Sequence, residues 1–142
     1  MTLYEAAAGP AQARSPLAGD VVAGLVHNGS AEAVARAAVR EAVRRGCRVR
    51  FIQVLPPGLS EEDRADADRG TFRAALRALR GQSRVPCSFE VLEGEAGRIL
   101  CERSRQAGIL VIGRDLPDAV DHVAGYCQVH ADCDVLTVAH LE

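Results

Sequence analysis

Beyond residue 19 the chain alternates between short apolar runs and stretches whose apolar positions recur at helical spacing. Residues 20–26 (DVVAGLV) are apolar almost throughout, the pattern of a strand covered on both faces. Asn28-Gly29-Ser30 then turns the chain, and Ser30 is placed to cap an Ala-rich helix running to about Arg45, closed by Gly46. Residues 48–55 (RVRFIQVL) carry the β-branched and aromatic side chains of a second strand, stopped by Pro56-Pro57-Gly58. Ser60-Glu61-Glu62-Asp63 opens a second helix, with a cap and an acidic first turn, continuing to about Leu79. Residues 87–92 predict a third strand, about 95–106 a helix ended by Gly108, and 109–112 a fourth strand stopping at Gly113. Pro117 suits the first turn of a last helix reaching about Val129, and residues 135–139 predict a fifth strand.

Strands separated by helices of this length make parallel βαβ units with right-handed crossovers. The expectation is an α/β fold: one domain over 20–142, an open five-stranded parallel sheet with helices on both faces, preceded by a flexible N-terminal leader over 1–19. In such sheets ligands sit beyond the carboxyl ends of the strands, where the strand order reverses. Function is therefore sought in the loops after strands one and four, residues 26–30 and 113–126.

Composition narrows the chemistry. All 17 basic residues are arginine, so mechanisms that need an ε-amine are closed, from the P-loop lysine to Schiff bases and the lysine of a phospho-receiver domain. A net charge of −2 gives no bulk basic field, and 4% aromatics without tryptophan leave few stacking platforms, so no specific nucleic-acid binding is expected. No segment approaches the roughly 18 apolar residues of a membrane span, and the leader lacks the basic and apolar regions of a signal peptide. Five cysteines, none in a C-x-x-C pair, fit reduced thiols and a cytoplasmic location.

Four stretches, in order, resemble the universal stress protein family over about residues 20–140. They are the strand ending in Asn28-Gly29-Ser30 before an Ala/Arg-rich helix closed by Arg-Arg-Gly, then residues 91–100 (VLEGEAGRIL), 107–114 (AGILVIGR) and 130–138 (HADCDVLTV). The resemblance implies strand order 3-2-1-4-5 in a Rossmann-like, adenine-nucleotide-alpha-hydrolase-like fold, and a homodimer built through the last strand. It also implies a division: some members bind ATP through a segment after strand four of the form G-x2-G-x9-G-S/T. There, glycines admit backbone N–H groups to the phosphates and a hydroxyl assists.

This sequence keeps part of that segment. Gly113 matches the first glycine, whereas Leu116 and Pro117 stand at the second, obstructing close approach and removing an N–H. Gly125 stands for the third, one residue early, followed by Tyr126 in place of a small hydroxyl. Asp115, Asp118 and Asp121 crowd the loop against Arg114 alone, and Asn28 replaces the acidic residue after strand one. The expectation is a regulatory or partner-binding module of the stress response, not an enzyme, with no cofactor. The alternative is an adenine-nucleotide switch holding ATP or AMP in a modified loop through Asn28, Gly113, Arg114, Gly125 and Tyr126.

Other constellations weigh less. His122, Cys127, His130 and Cys133 have zinc-like residue types, but His130 and Cys133 fall where the family-like ending carries a histidine and cysteine without metal, so no metal is expected. Cys127 and Cys133 would serve as a redox pair only if one thiol were exposed and acidic. Arginines recur on one stripe of each of the first two helices, and Glu32–Arg36 and Glu41–Arg45 have the spacing of ion pairs. A protein partner on those faces is the remaining possibility.

Overall fold

A computed structural model describes residues 19–26, 29–82 and 84–139. Five strands and four helices alternate: β1 (Val21–Val26), α1 (Ala31–Arg45), β2 (Val49–Leu55), α2 (Glu61–Leu79), β3 (Cys87–Glu93), α3 (Ala96–Arg103), β4 (Ile109–Gly113), α4 (Val123–His130) and β5 (Asp134–Val138). All pairings are parallel and the order is β3-β2-β1-β4-β5, as expected. β1 is central and has no polar position to expose: Val21, Val22, Ala23 and Leu25 are all fully buried.

The strand alternation divides the core in two. Val21, Ala23, Leu25, Val49 and Phe51 face a layer with Val34, Ala38 and Ala75 of α1 and α2. Val22, Ile52, Val54, Leu110 and Ile112 face Leu100 of α3 and Ala124 and Cys127 of α4. Gly46 ends α1 in the left-handed conformation at φ 66°, which other residues adopt only at a cost.

Three expectations are corrected. Ser30 stands at the N-cap of α1, but its side chain makes no capping bond; the carbonyl of Ser30 accepts from Val34 N–H at 3.0 Å. α3 ends at Arg103 rather than near Gln106, because Ala107 N–H bonds the Ser104 carbonyl and tightens the chain into a turn. Pro117 does not open α4, which starts six residues later. Residues 114–122 form an irregular loop with a turn from Leu116 to Ala119. The assigned leader, up to residue 18, lies outside the described residues.

Candidate functional site

The strand order reverses between β1 and β4, so the crevice of this architecture opens where their carboxyl ends diverge. Of the predicted site residues, Asn28 lies outside the described residues, as does His27. Gly113 is the last residue of β4, half-buried and in register with Val138. Arg114 follows as an exposed residue whose backbone N–H donates to the Val138 carbonyl at 2.8 Å, tying the loop's start to β5.

The loop's chemistry is set by a residue the sequence reading counted only as a repulsive charge. The Asp115 carboxylate folds back over α4. Its Oδ1 accepts from Ala124 N–H and its Oδ2 from Gly125 N–H, both at 2.9 Å. The orphan N–H groups of a helix start are thus satisfied by a carboxylate nine and ten residues away, beside the positive end of the helix dipole. His122, at the N-cap of α4 and exposed, makes no capping bond and sits with Nδ1 4.0 Å from Asp115 Oδ2. The only sequence signal for this arrangement was Asp followed some eight residues later by a helix; an adjacent cap is the commoner pattern.

Tyr126 does not reach this position. Its ring packs against Gly97 of α3 and stacks on His130 at a centroid distance of 4.1 Å. It fills the α3–α4 seam rather than standing where a small hydroxyl would meet a phosphate. Gly113, Arg114 and Gly125 therefore gather around the loop while Tyr126 faces away from it. Gly125 has room for a Cβ, whose nearest neighbour would be Asp115 Oδ2 at 3.5 Å, so packing alone does not demand glycine there.

The N–H groups of Ala124 and Gly125 that would receive an anion already hold one, and a phosphate entering there meets the Asp115 carboxylate.

No metal-holding group of three or more His, Cys, Asp or Glu side chains occurs among the described residues. Cys127 is fully buried, whereas His122 and His130 are exposed, so the four zinc-like residues do not converge. Burial pushes the Cys133 thiol up and the Cys127 thiol up to about 12, opposite to the acidic thiol a redox pair requires. On the helix faces, Glu41 pairs with Arg45 at 3.0 Å as expected and also with Arg44 at 2.6 Å. Glu32 lies 3.8 Å from Arg77 of α2 instead of pairing with Arg36.

One buried polar group was not foreseen. Gln53, in the middle of β2, is fully buried, and neither its Oε1 nor its Nε2 has a hydrogen-bond partner. It is flanked across the sheet by Leu25 and Val91.

The architecture defines an open, five-stranded parallel α/β protein with its crevice between β1 and β4. Solved structures that superpose on it include universal stress proteins. One, in complex with cAMP, superposes with a TM-score of 0.68 at 17% identity, covering 88% of this chain and 99% of that one. Another, from Archaeoglobus fulgidus in complex with dAMP, gives 0.64 at 24% identity, covering 84% and 96%. A third, from Arabidopsis thaliana with AMP bound, gives 0.61 at 18% identity, covering 87% and 92%. The chain has the universal stress protein fold, in agreement with the resemblance read from its sequence. No protein-family model and no curated protein sequence matches it. No helix among the described residues is long and apolar enough to cross a membrane.

Proposed function

We propose that this chain is a universal stress protein of the kind that dispenses with ATP binding at the loop after β4. It acts in the cytoplasm as a regulatory, partner-binding module without turnover of its own. The observation that carries this reading is the Asp115 carboxylate on the N–H groups of Ala124 and Gly125. An anion site already filled by the chain's own carboxylate disfavours a triphosphate, since entry requires breaking both bonds and burying like charges together.

The homodimer expected through the last strand is part of the proposal. β5 is an edge strand, and Val135, Leu136, Thr137 and Val138 are all left half-buried, so both its backbone and its side chains have pairing capacity to spare. Sedimentation at micromolar concentration is expected to give a dimer; a monomer removes this part.

A second reading is favoured by one observation. The solved structures cited carry cAMP, dAMP and AMP, ligands with a single phosphate. A nucleoside monophosphate asks less of the loop than ATP and would keep its phosphate near Gly113 and Arg114 while Asp115 stays on α4. Calorimetry with ATP and with AMP separates the readings. No heat from either at millimolar concentration supports the partner-binding module; heat from AMP alone supports the switch. Stoichiometric ATP binding by the wild-type chain overturns the partner-binding module and leaves the switch, with the Asp115 carboxylate displaced from α4.

A further inference from the structure

Two strands bound the sheet, β5 and β3, and a dimer through β5 leaves β3 as the open edge. β3 is seven residues long and pairs with β2 in unbroken register, without a proline, a bulge or a basic residue to blunt it. The direction of its backbone groups follows from its two ends. The Pro86 carbonyl accepts from Val49 N–H at 3.0 Å, and Gly94 N–H donates to the Leu55 carbonyl at 2.9 Å, so both ends turn toward β2. A parallel strand sends the N–H and C=O of alternate residues to alternate sides. Ser88, Glu90 and Leu92 therefore bond β2, while the backbone groups of Cys87, Phe89, Val91 and Glu93 point off the sheet. No loop or turn among the described residues bonds to those outward groups.

The side chains of the outward residues lie on the face that α1 and α2 cover, where Phe89 packs against the layer of Val49, Phe51 and Ala75. The mid-strand charge, Glu90, is on the other face, paired with Arg103 at 3.2 Å. α2 overhangs the edge with an apolar pair. Phe72 stands edge-on to Phe89, at a centroid distance of 5.2 Å and an interplanar angle of 80°, yet remains 48% exposed. Leu76, one turn further along, is 53% exposed. From residue 69 to residue 80 this helix carries four arginines and no acid. Arg69 pairs with Asp66 and Arg77 lies 3.8 Å from Glu32, whereas Arg73 and Arg80 enter no ion pair among the described residues.

We infer that the β3 edge is a docking site for an extended segment of a partner protein, apolar at alternate positions and flanked by acids, which adds to the sheet as a sixth strand. The inference rests on the partner-binding reading and names the chemistry of the partner. Three features select this occupant. A row of outward N–H and C=O groups is satisfied by another extended backbone, whereas a docked helix has already spent its own groups internally. The residues that present those groups carry their side chains beneath α2. Alternate side chains of an added strand, about 4.8 Å further out, therefore meet Phe89, Phe72 and Leu76, which asks for apolar residues at period two. The guanidinium groups of Arg73 and Arg80, on the same helix as that apolar pair, favour carboxylates at the ends of the segment.

The test is a titration of the full chain, followed by amide NMR shifts, with the heptapeptide Ac-ETVTLTE-amide, whose valine and leucine share one face with both glutamates. Shifts are expected first at the amides of Cys87, Phe89, Val91 and Glu93, with exchange at Phe89 and Val91 slowed tenfold or more at saturation. Phe72→Ser is expected to weaken binding fivefold or more. Because that ring also leans on Phe89, two N-methylated peptides probe the edge without altering the protein. Methylation at valine and leucine blocks antiparallel addition, and methylation at the threonines blocks parallel addition; one of the two is expected to lose tenfold or more in affinity. The inference is overturned by no shifts at millimolar peptide, by shifts gathered at β5 instead of β3, or by two methylated peptides that bind like the parent. It is also overturned if Phe72→Ser lowers the oligomeric mass in sedimentation, which would assign the edge to a second copy. Each of these leaves the partner-binding reading standing, whereas stoichiometric ATP binding removes that reading and leaves peptide addition at β3 intact.

Discussion

The ring of Tyr126 occupies the space above Gly97: a Cβ built on residue 97 would lie 2.8 Å from Tyr126 Cδ1 and 3.1 Å from Cγ. The contact is with the root of the ring, which cannot yield without parting α3 from α4. Gly97→Ala gains helix propensity but overpacks this seam, and the clash wins. The expected net cost is about 1–3 kcal/mol, read as a lower urea midpoint. In a Tyr126→Leu background the same substitution is expected to cost at least 1 kcal/mol less; an equal cost in both backgrounds would remove the contact as the cause.

Removing the Asp115 carboxylate frees two helix-start N–H groups. Asp115→Ala is expected to cost about 1–2 kcal/mol and to speed amide exchange at Ala124 and Gly125 before any other part of the sheet. It should also leave an anion site open, so weak binding of inorganic phosphate is expected in the variant and absent in the parent. Unchanged exchange at both amides would show that the cap does not form in solution.

Gln53 inverts the usual sign of a core substitution. Its carboxamide is fully buried with both polar atoms unpartnered, so Gln53→Leu, of similar volume, removes a desolvation penalty. The variant is expected to be more stable by about 1–3 kcal/mol in denaturant unfolding. Destabilisation instead would mean that an ordered water or a ligand satisfies the amide.

The Cys127 thiol, pushed up to about 12 by burial, stays protonated when folded at pH values where an unfolded thiol ionises. A group whose pKa is raised in the fold contributes stability below its unfolded value and loses it as pH rises toward the folded one. Stability is therefore expected to fall between about pH 9 and 12, with a shallower fall in Cys127→Ala. Iodoacetamide at pH 8 should leave Cys127 unmodified until the chain unfolds. Rapid labelling of the native protein would contradict its burial.

Most of the scaffold was legible because local and global signals agree. Gly46 after an Ala/Arg helix, Ser60 before three acids and the unbroken apolar run of β1 each admit one structure. Gly46 is left-handed, the Ser60 side chain accepts from Asp63 N–H, and β1 is central. The strand order came from the likeness to a family, since apolar periodicity does not say which strand neighbours which. The loop after β4 was misread for a physical reason. Pro117 favours a helix start, but α4 is set by a carboxylate reaching across from Asp115, a tertiary bond that no local window contains. Gln53 was invisible for the opposite reason: in β2 it is, like Arg50, a polar residue in an otherwise apolar run, and nothing local says that the layers packed on the sheet bury Gln53 while Arg50 stays partly exposed.

The register of β1 also orders events in time. Its pairing with β2 joins Val21 to Val49 across one helix, whereas its pairing with β4 joins Val21 to Ile109 from far along the chain. During synthesis β1, β2 and β3 with their two helices are complete while one edge of the central strand still awaits a neighbour. That edge, flanked by fully apolar side chains, is the one most exposed to capture by another nascent chain until β4 emerges. Protection of β4 and β5 amides is accordingly expected last in refolding pulse-exchange, and slow decoding between residues 93 and 109 would lengthen the interval in which the half-built sheet is open to its neighbours.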